Sequence, residues 1–365
     1  MHTKLRVAVV GLGRIGHFHA RHVLGLAGKD QSCALVAVVD PDTSRTASFL
    51  AETAGETSAA PIRAFEDVSA LIEEQAADVA IVCCSTESHH ANAQDLIQAG
   101  YRILLEKPMT EQLTTDREFT DYLNQHAPEA MMLAFQRRFD EPLLQAKKLL
   151  QENRIGRPFK FISFLEDAGP PPAGYQSPGL LLDMSVHNID EVLWLSGKVP
   201  EKVASVGSRL RNHLISAVAE DFDNASMHLV FEPGLIAQIE VSRVHVSGYH
   251  VETCIYGEEG TIRVGSFQGD PHHVAVELFG RRELISRRDF QMPSYPSEVP
   301  DFVTRFGPAY QAEVAYFLQQ CQLGKPFVVG QNEGLRAGEI AAAATAAVNE
   351  DSYQPITLTT CSRSF

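Results

Sequence analysis

Two short segments of this chain carry side chains able to move a proton and steady a charge at a reacting oxygen. One is Glu106-Lys107-Pro108; the other is Asp183-Met184-Ser185-Val186-His187, with Asp190 three residues further on. Imidazole, with an ordinary pKa of about 6.5, suits the removal of a hydroxyl proton near neutral pH. An ammonium such as that of Lys107 stabilises the alkoxide that develops. If residues 182–195 form a helix, Asp183 and His187 are four apart and share a face, and Asp190 can orient the imidazole. Each residue alone also has an ordinary reading, His187 as a packed or capping histidine and Lys107 as a surface lysine.

Removing hydride from a carbon requires an acceptor, and the sequence holds a candidate cradle for one. Gly11-Leu12-Gly13-Arg14-Ile15-Gly16 fits G-x-G-x-x-G, a weak pattern in isolation. Here it follows the strand-like Leu5–Val10 and precedes a helical stretch. In that setting the first glycine permits the tight turn, the second lets backbone approach a pyrophosphate, and the third allows close helix–strand packing. The helix N-terminus then offers unpaired amides to the anion. Asp40, at the end of the second expected strand, can accept hydrogen bonds from ribose hydroxyls. No cation directly follows it in Pro41-Asp42, which favours NAD over NADP; Arg45, a turn later, softens that preference.

The elements that must position these residues follow from apolar periodicity. Strands are expected at Leu5–Val10, Ala34–Val39, Ile62–Ala64, Val79–Cys83, Arg102–Leu105 and Ala130–Phe135, with helical spacing in Ala91–Ala99 and Glu111–His126. Alternating strands and helices indicate an N-terminal Rossmann domain with a doubly wound parallel sheet, over residues 1–128. The remainder, 129–365, reads as an α+β domain with a large open, mostly antiparallel sheet. A strand at Phe159–Leu165 leads through a Pro/Gly-rich loop to a helix from Leu182 to Leu195. Residues 202–279 then read as strands broken at Glu232-Pro233-Gly234, Gly257-Glu258-Glu259-Gly260 and Gly269-Asp270-Pro271. Two late helices are expected near Gln311–Cys321 and Glu333–Asn349.

Bulk composition narrows the partners. The formal charge of −15 over 365 residues, without a Lys/Arg block, argues against duplex nucleic acid or an anionic membrane. No run approaches the roughly 18 apolar residues of a membrane span. Met1–Arg6 leads straight into Val7-Ala8-Val9-Val10 without the features of a secretory signal. The six cysteines form no C-x-x-C pair, so neither zinc nor a disulfide framework is expected, and reduced thiols in a cytoplasmic protein are.

With these residues assembled, the chain resembles the Gfo/Idh/MocA oxidoreductases, most closely the inositol 2-dehydrogenase branch, over nearly its whole length. The resemblance rests on GLGRIG at 11–16, VAVVDPD at 36–42, STESHH at 85–90, LLEKPM at 104–109 and AFQRRFD at 134–140. It continues through EDAGPPP at 166–172, PGLLLDMSVHNID at 178–190, AYQAEVAYF at 309–317 and GLRAGEIAAAA at 334–344. It implies oxidation of a ring hydroxyl of a cyclitol or sugar by hydride transfer to NAD. Lys107 would be the catalytic lysine, His187 the general base or acid, and Asp183 a carboxylate on the substrate. Gln136, Arg137 and Asp167 would contact substrate, with Asp190 in support. Ser85, Thr86, His89, Glu106 and Lys107 would line the dinucleotide cleft beside Gly11, Gly13, Arg14, Ile15, Gly16 and Asp40. The open sheet face would mediate a homodimer or homotetramer.

The sequence departs from the branch at Pro178-Gly179, where two glycines are usual, and at Asn188, where an acid is usual. It departs again at Glu166, a place often held by arginine, and at Val246-Ser247-Gly248-Tyr249-His250-Val251-Glu252, in place of Y-G-Y-D-Q-R. The resemblance also admits an NAD-dependent glycoside hydrolase of the same fold, an NADPH-dependent ketosugar reductase, or a non-catalytic NAD sensor. The stereochemistry of the polyol and the isomer of the Lys107-Pro108 bond are left open.

Overall fold

The computed structural model describes residues 4–30, 32–55, 61–169, 177–209, 221–265, 271–294, 299–350 and 354–356. The chain packs as two compact units, Met1–Phe135 with Tyr310–Leu335 and Gln136–Ala309 with Arg336–Phe365.

In the first unit, β1 (Leu5–Val10), β2 (Cys33–Val39), β3 (Arg63–Phe65), β4 (Val79–Val82), β5 (Arg102–Leu105) and β6 (Met131–Leu133) form one sheet. Its order is β3-β2-β1-β4-β5-β6 and its pairings are parallel. The uninterrupted apolar runs of β1 and β4 reflect burial on both faces: Val7 to Val10 and Val79 to Val82 are all at most 3% exposed. The crossovers are α1 (Arg14–Asp30), α2 (Thr43–Glu52), α3 (Val68–Glu73), α4 (Thr86–Gln98) and α5 (Leu113–His126). Asp42 and Asp67 cap α2 and α3 by accepting N–H bonds from Ser44 at 3.0 Å and Ala70 at 2.9 Å. The strand order reverses between β1 and β4, and in such sheets ligands bind at the carboxyl ends beside that switch point.

The second unit begins with the short 3-10 turn Gln136–Phe139 and α6 (Glu141–Gln151). Its sheet comprises β7 (Pro158–Glu166), β8 (Lys202–Ser208), β9 (Asn224–Phe231), β10 (Leu235–Ser242), β11 (His250–Gly257), β12 (Thr261–Gly265), β13 (His273–Phe279), β14 (Leu284–Gln291) and β15 (Gln354–Pro355). The order is β14-β13-β12-β11-β7-β10-β9-β8-β15; β7 and β10 run parallel and the other described pairs are antiparallel. The sheet is thus open and mostly antiparallel, as its turn-punctuated strands indicate. Pro233-Gly234 turns β9 into β10, while residues 266–270, with the expected Gly269-Asp270 turn, lie outside the described residues, as do Pro170, Pro171 and Pro172.

Two of the three later helices differ from expectation. The stretch expected as one helix from Leu182 opens as a π-helical turn, Leu181–Ser185, before α7 (Val186–Ser196), which ends on left-handed Gly197. The penultimate helix, α8 (Asp301–Leu323), continues through Gly307-Pro308, a pair that reads locally as a stop. The last, α9 (Gln331–Glu350), lies close to its expected span. No helix among the described residues is long and apolar enough to cross a membrane. Cys33, Cys83, Cys84, Cys254 and Cys321 are free thiols.

Candidate functional site

The first unit gathers its candidate residues at the carboxyl ends of β1, β2, β4 and β5. Gly11 follows β1 with φ +88°, and a Cβ there would lie 2.6 Å from the Cα and N of Cys84, just after β4. Only glycine lets the two loops meet so closely. At Gly16 a Cβ would lie 1.9 Å from the carbonyl oxygen of Gly11, so the third glycine seats α1 against the turn. Gly13 differs: a Cβ there meets no protein atom within 4 Å. Protein packing gives no reason for glycine at that position, whereas close approach of a pyrophosphate does. Arg14 and Ile15 open α1, whose first amides face the same turn.

Asp40, only 3% exposed, accepts Leu12 N–H at 2.7 Å and Asp42 N–H at 2.9 Å, one on each oxygen. Each oxygen keeps a second lone pair for a hydroxyl donor. Arg45 reaches to 3.6 Å from Asp40 while remaining more than half exposed. The glycine turn, its unobstructed centre and the acceptor at the end of β2 together fit the pyrophosphate and ribose of a dinucleotide.

At the end of β5, Glu106 is buried and accepts twice: from His19 Nε2 at 2.8 Å and from Lys107 N–H at 3.2 Å. The Lys107-Pro108 bond is cis, and Lys107 itself is half-buried. His89 of α4 donates Nδ1–H to the Pro108 carbonyl at 2.9 Å, and its burial lowers the imidazole pKa. Glu106, His89 and Lys107 are therefore drawn into one cluster, with Ser85 and Thr86 at the start of α4. Sequence reading missed His19 and Glu313 here. Glu313 of α8 is fully buried, its carboxylate oxygens have no hydrogen-bond partner among the described residues, and burial next to Glu106 raises its pKa well above the usual range.

In the second unit the candidates are held by buried ion pairs. Asp183, in the π-helical turn, receives Arg243 Nη2 at 3.1 Å and the Ser177 hydroxyl at 3.3 Å. Arg243, 2% exposed, also donates to Asp221 at 3.0 Å, and Asp221 accepts the Leu180 N–H at 2.7 Å at the head of that turn. His187 lies one turn on in α7 and is 9% exposed. Asp183 belongs to a wider i→i+5 turn, so the regular α-helix that carries His187 starts only after it.

Asp190 accepts two bonds from Arg138, at 2.9 and 2.6 Å. Arg137, 1% exposed, donates to Glu191 at 2.6 Å, and Glu191 also accepts the hydroxyls of Ser163 and Thr253. Gln136 beside it is 3% exposed. Asp167 continues β7: its N–H donates to the Ser242 carbonyl and its carbonyl accepts His245 N–H. Burial pushes the Tyr249 phenol up, with the Asp167 charge adding to the effect. Arg243, Asp221 and Glu191 carry no local sequence signature, because each acts through a partner on a distant element.

These features fit a dinucleotide-binding protein whose second unit holds the candidates Asp183 and His187. Residues 5–132 match the oxidoreductase family with NAD-binding Rossmann fold, and residues 143–263 match the Gfo/Idh/MocA C-terminal domain. The chain is 28% identical over 347 residues to a scyllo-inositol 2-dehydrogenase (NAD(+)) of Bacillus subtilis, covering 94% of each. It is 28% identical over 336 residues to a myo-inositol 2-dehydrogenase of Thermotoga maritima, covering 91% of this chain and 93% of the relative. A solved myo-inositol 2-dehydrogenase from Lactobacillus plantarum superposes with a TM-score of 0.80 at 25% identity, covering 97% of this chain and all of that one. The chain belongs to the Gfo/Idh/MocA family of oxidoreductases.

Proposed function

We propose that this protein oxidises a ring hydroxyl of a cyclitol, or of a closely related sugar, as an NAD-dependent dehydrogenase. One observation carries the reading. A glycine turn whose centre is open to a pyrophosphate occurs in one chain with Lys107, Asp183 and His187, within a family whose similar members are inositol dehydrogenases.

NAD, when bound, supplies the hydride acceptor. Gly11, Gly13, Arg14, Ile15 and Gly16 hold its pyrophosphate, and Asp40 accepts from a ribose hydroxyl. Ser85, Thr86, His89 and Glu106 line the remainder of the cleft with Lys107. Lys107 holds its ammonium at the reacting oxygen. His187 takes the hydroxyl proton, and Asp183, held by Arg243, accepts from a substrate hydroxyl. Gln136 and Asp167 complete the substrate contacts, and Arg137, expected there too but paired with Glu191 in the core, fixes its neighbours from within. Asp190 supports the helix of His187 through Arg138. The first unit thus serves the cofactor and supplies Lys107, and the second supplies the other substrate groups. Association through the open sheet face into a homodimer or homotetramer, and residence in the cytoplasm, belong to the same proposal.

The test is NADH formation across inositol isomers and aldoses, run with NAD and with NADP. Turnover is expected with a cyclitol and NAD. Lys107→Met is expected to lower kcat by ~10²–10³-fold while NAD still binds. Near-wild-type kcat in that variant refutes the role given to Lys107, and failure of the whole panel refutes the substrate class.

A further inference from the structure

A second polar cluster lies on the other face of the second unit's sheet. Ser163 and Thr253 are register partners in β7 and β11, and both bond Glu191 of α7, which marks the face that helix covers. Glu166 and His250 are also register partners, each three residues from that pair, so they point to the opposite face. His245, from the segment between β10 and β11, joins them there. Glu166 Oε2 lies 2.6 Å from His250 Nδ1 and 3.7 Å from His245 Nε2, and one ligand atom from each residue falls within 4.8 Å of the others.

The outward-turned nitrogens are already oriented. His245 Nδ1 lies 2.6 Å from the Gly248 carbonyl, which can only accept, so the proton sits on Nδ1 and the lone pair on Nε2. His250 Nε2 lies 3.2 Å from Glu252 Oε2, and Arg263 Nε holds the other oxygen of Glu252 at 2.6 Å. Histidine ligands of metals are oriented in this way by a carbonyl or carboxylate on the ring nitrogen remote from the ion. Ligand bonds of ~2.0–2.2 Å in a tetrahedral site put ligand atoms roughly 3.3–3.6 Å apart, so Glu166 and His250, now 2.6 Å apart, separate and His245, 3.7 Å from Glu166, swings inward when an ion enters. Imidazole and carboxylate donors suit zinc and its divalent first-row neighbours.

We propose that Glu166, His245 and His250 form a binding site for one divalent transition-metal ion, with Glu252 and the Gly248 carbonyl as its outer supports. Three protein ligands leave a coordination position for water or an oxygen donor. The site is independent of the dehydrogenase reading, since none of its ligands is assigned to cofactor or substrate there. With a proton in place of the ion, the same groups form only a carboxylate–imidazolium chain, which is the alternative the experiment must separate.

The full-length chain, stripped with EDTA, is titrated with Zn²⁺ against a chromophoric chelator and, separately, with Co²⁺ while visible absorption is followed. One equivalent of zinc is expected, with Co²⁺ bands typical of low coordination in the wild type. Glu166→Gln and His245→Ala are each expected to weaken zinc at least ~10-fold, and Glu252→Gln by ~10–100-fold, with far-UV circular dichroism unchanged. Zinc affinity in His245→Ala within twofold of wild type places the metal elsewhere and overturns the proposal. Wild-type protein lacking both stoichiometric zinc and the Co²⁺ bands overturns it without recourse to any variant.

Discussion

Around the glycine turn of the first unit, main-chain groups do most of the positioning: Leu12 and Asp42 amides hold Asp40, and the Gly11 carbonyl leaves no room for a Cβ at Gly16. Around Asp183 in the second unit, side chains do it. Arg243 spans Asp183 and Asp221, Arg138 grips Asp190, Arg137 grips Glu191, and Arg305 grips Asp140 at 2.7 and 2.9 Å. A main-chain site is written into a few consecutive residues and serves any ligand with the same phosphate geometry. A site of buried ion pairs is assembled from distant elements, so it can be changed one pair at a time. The first arrangement suits a cofactor common to many reactions, the second a substrate that differs between relatives.

The comparison is tested hardest at Arg137. Arg137→Ala leaves Glu191, 0% exposed, with two hydroxyl donors and no cation. Removing one partner of a buried pair typically costs ~3–5 kcal/mol, so urea denaturation of the variant should show a loss of that order. Arg137→Met combined with Glu191→Gln should recover much of it, because the stranded charge is then gone. A loss under ~1 kcal/mol for the single variant means that the ion pairs are not what holds this unit's interior.

The glycine turn sharpens the contrast by separating stability from binding. Gly16→Ala drives a Cβ into the Gly11 carbonyl and should cost ~1–3 kcal/mol together with NAD affinity. Gly13→Ala meets no protein atom, so its melting temperature should stay close to wild type while NADH binding, followed by fluorescence, falls at least tenfold. Unchanged NADH affinity in Gly13→Ala would remove the physical argument for a pyrophosphate at that turn.

The same division explains what could be read from the sequence. The central strands β1 and β4 were legible because sheets covered on both faces need unbroken apolar runs, and VAVV and VAIV can hardly be anything else at that length, whereas the edge strand β3, Arg63-Ala64-Phe65, is mostly exposed. Glu106, Lys107 and His187 stand out in the sequence as candidates because short patterns surround them. Arg243 was not: in the run Val241-Ser242-Arg243-Val244 it looks like any polar residue leaving a strand, and its partners lie 22 and 60 residues away. The π-helical turn at Leu181–Ser185 was hidden too, since nothing in leucine-rich helical sequence separates i→i+4 from i→i+5 bonding. The helix expected near Gln311–Cys321 begins earlier, at Asp301, and runs through Pro308.

Glu313 is a buried carboxylate of the first unit whose oxygens have no hydrogen-bond partner among the described residues. Its folded-state pKa is raised by burial and by Glu106, whereas in the unfolded chain it ionises near the ordinary carboxylate value. The folded protein therefore holds more protons above that value, and this group's contribution to stability declines as pH rises from about 4.5. His22 has the opposite sign: burial lowers its pKa to about 3, so the unfolded chain binds the extra proton and stability falls as pH drops from about 6.5. Glu313→Met fills the same space without a polar group and should gain ~1–3 kcal/mol at pH 8, with a smaller gain at pH 5. The difference between the melting curves of wild type and variant isolates this group from every other titration. If that difference does not change with pH, Glu313 is ionised in the folded state, and some group must balance it as Arg137 balances Glu191.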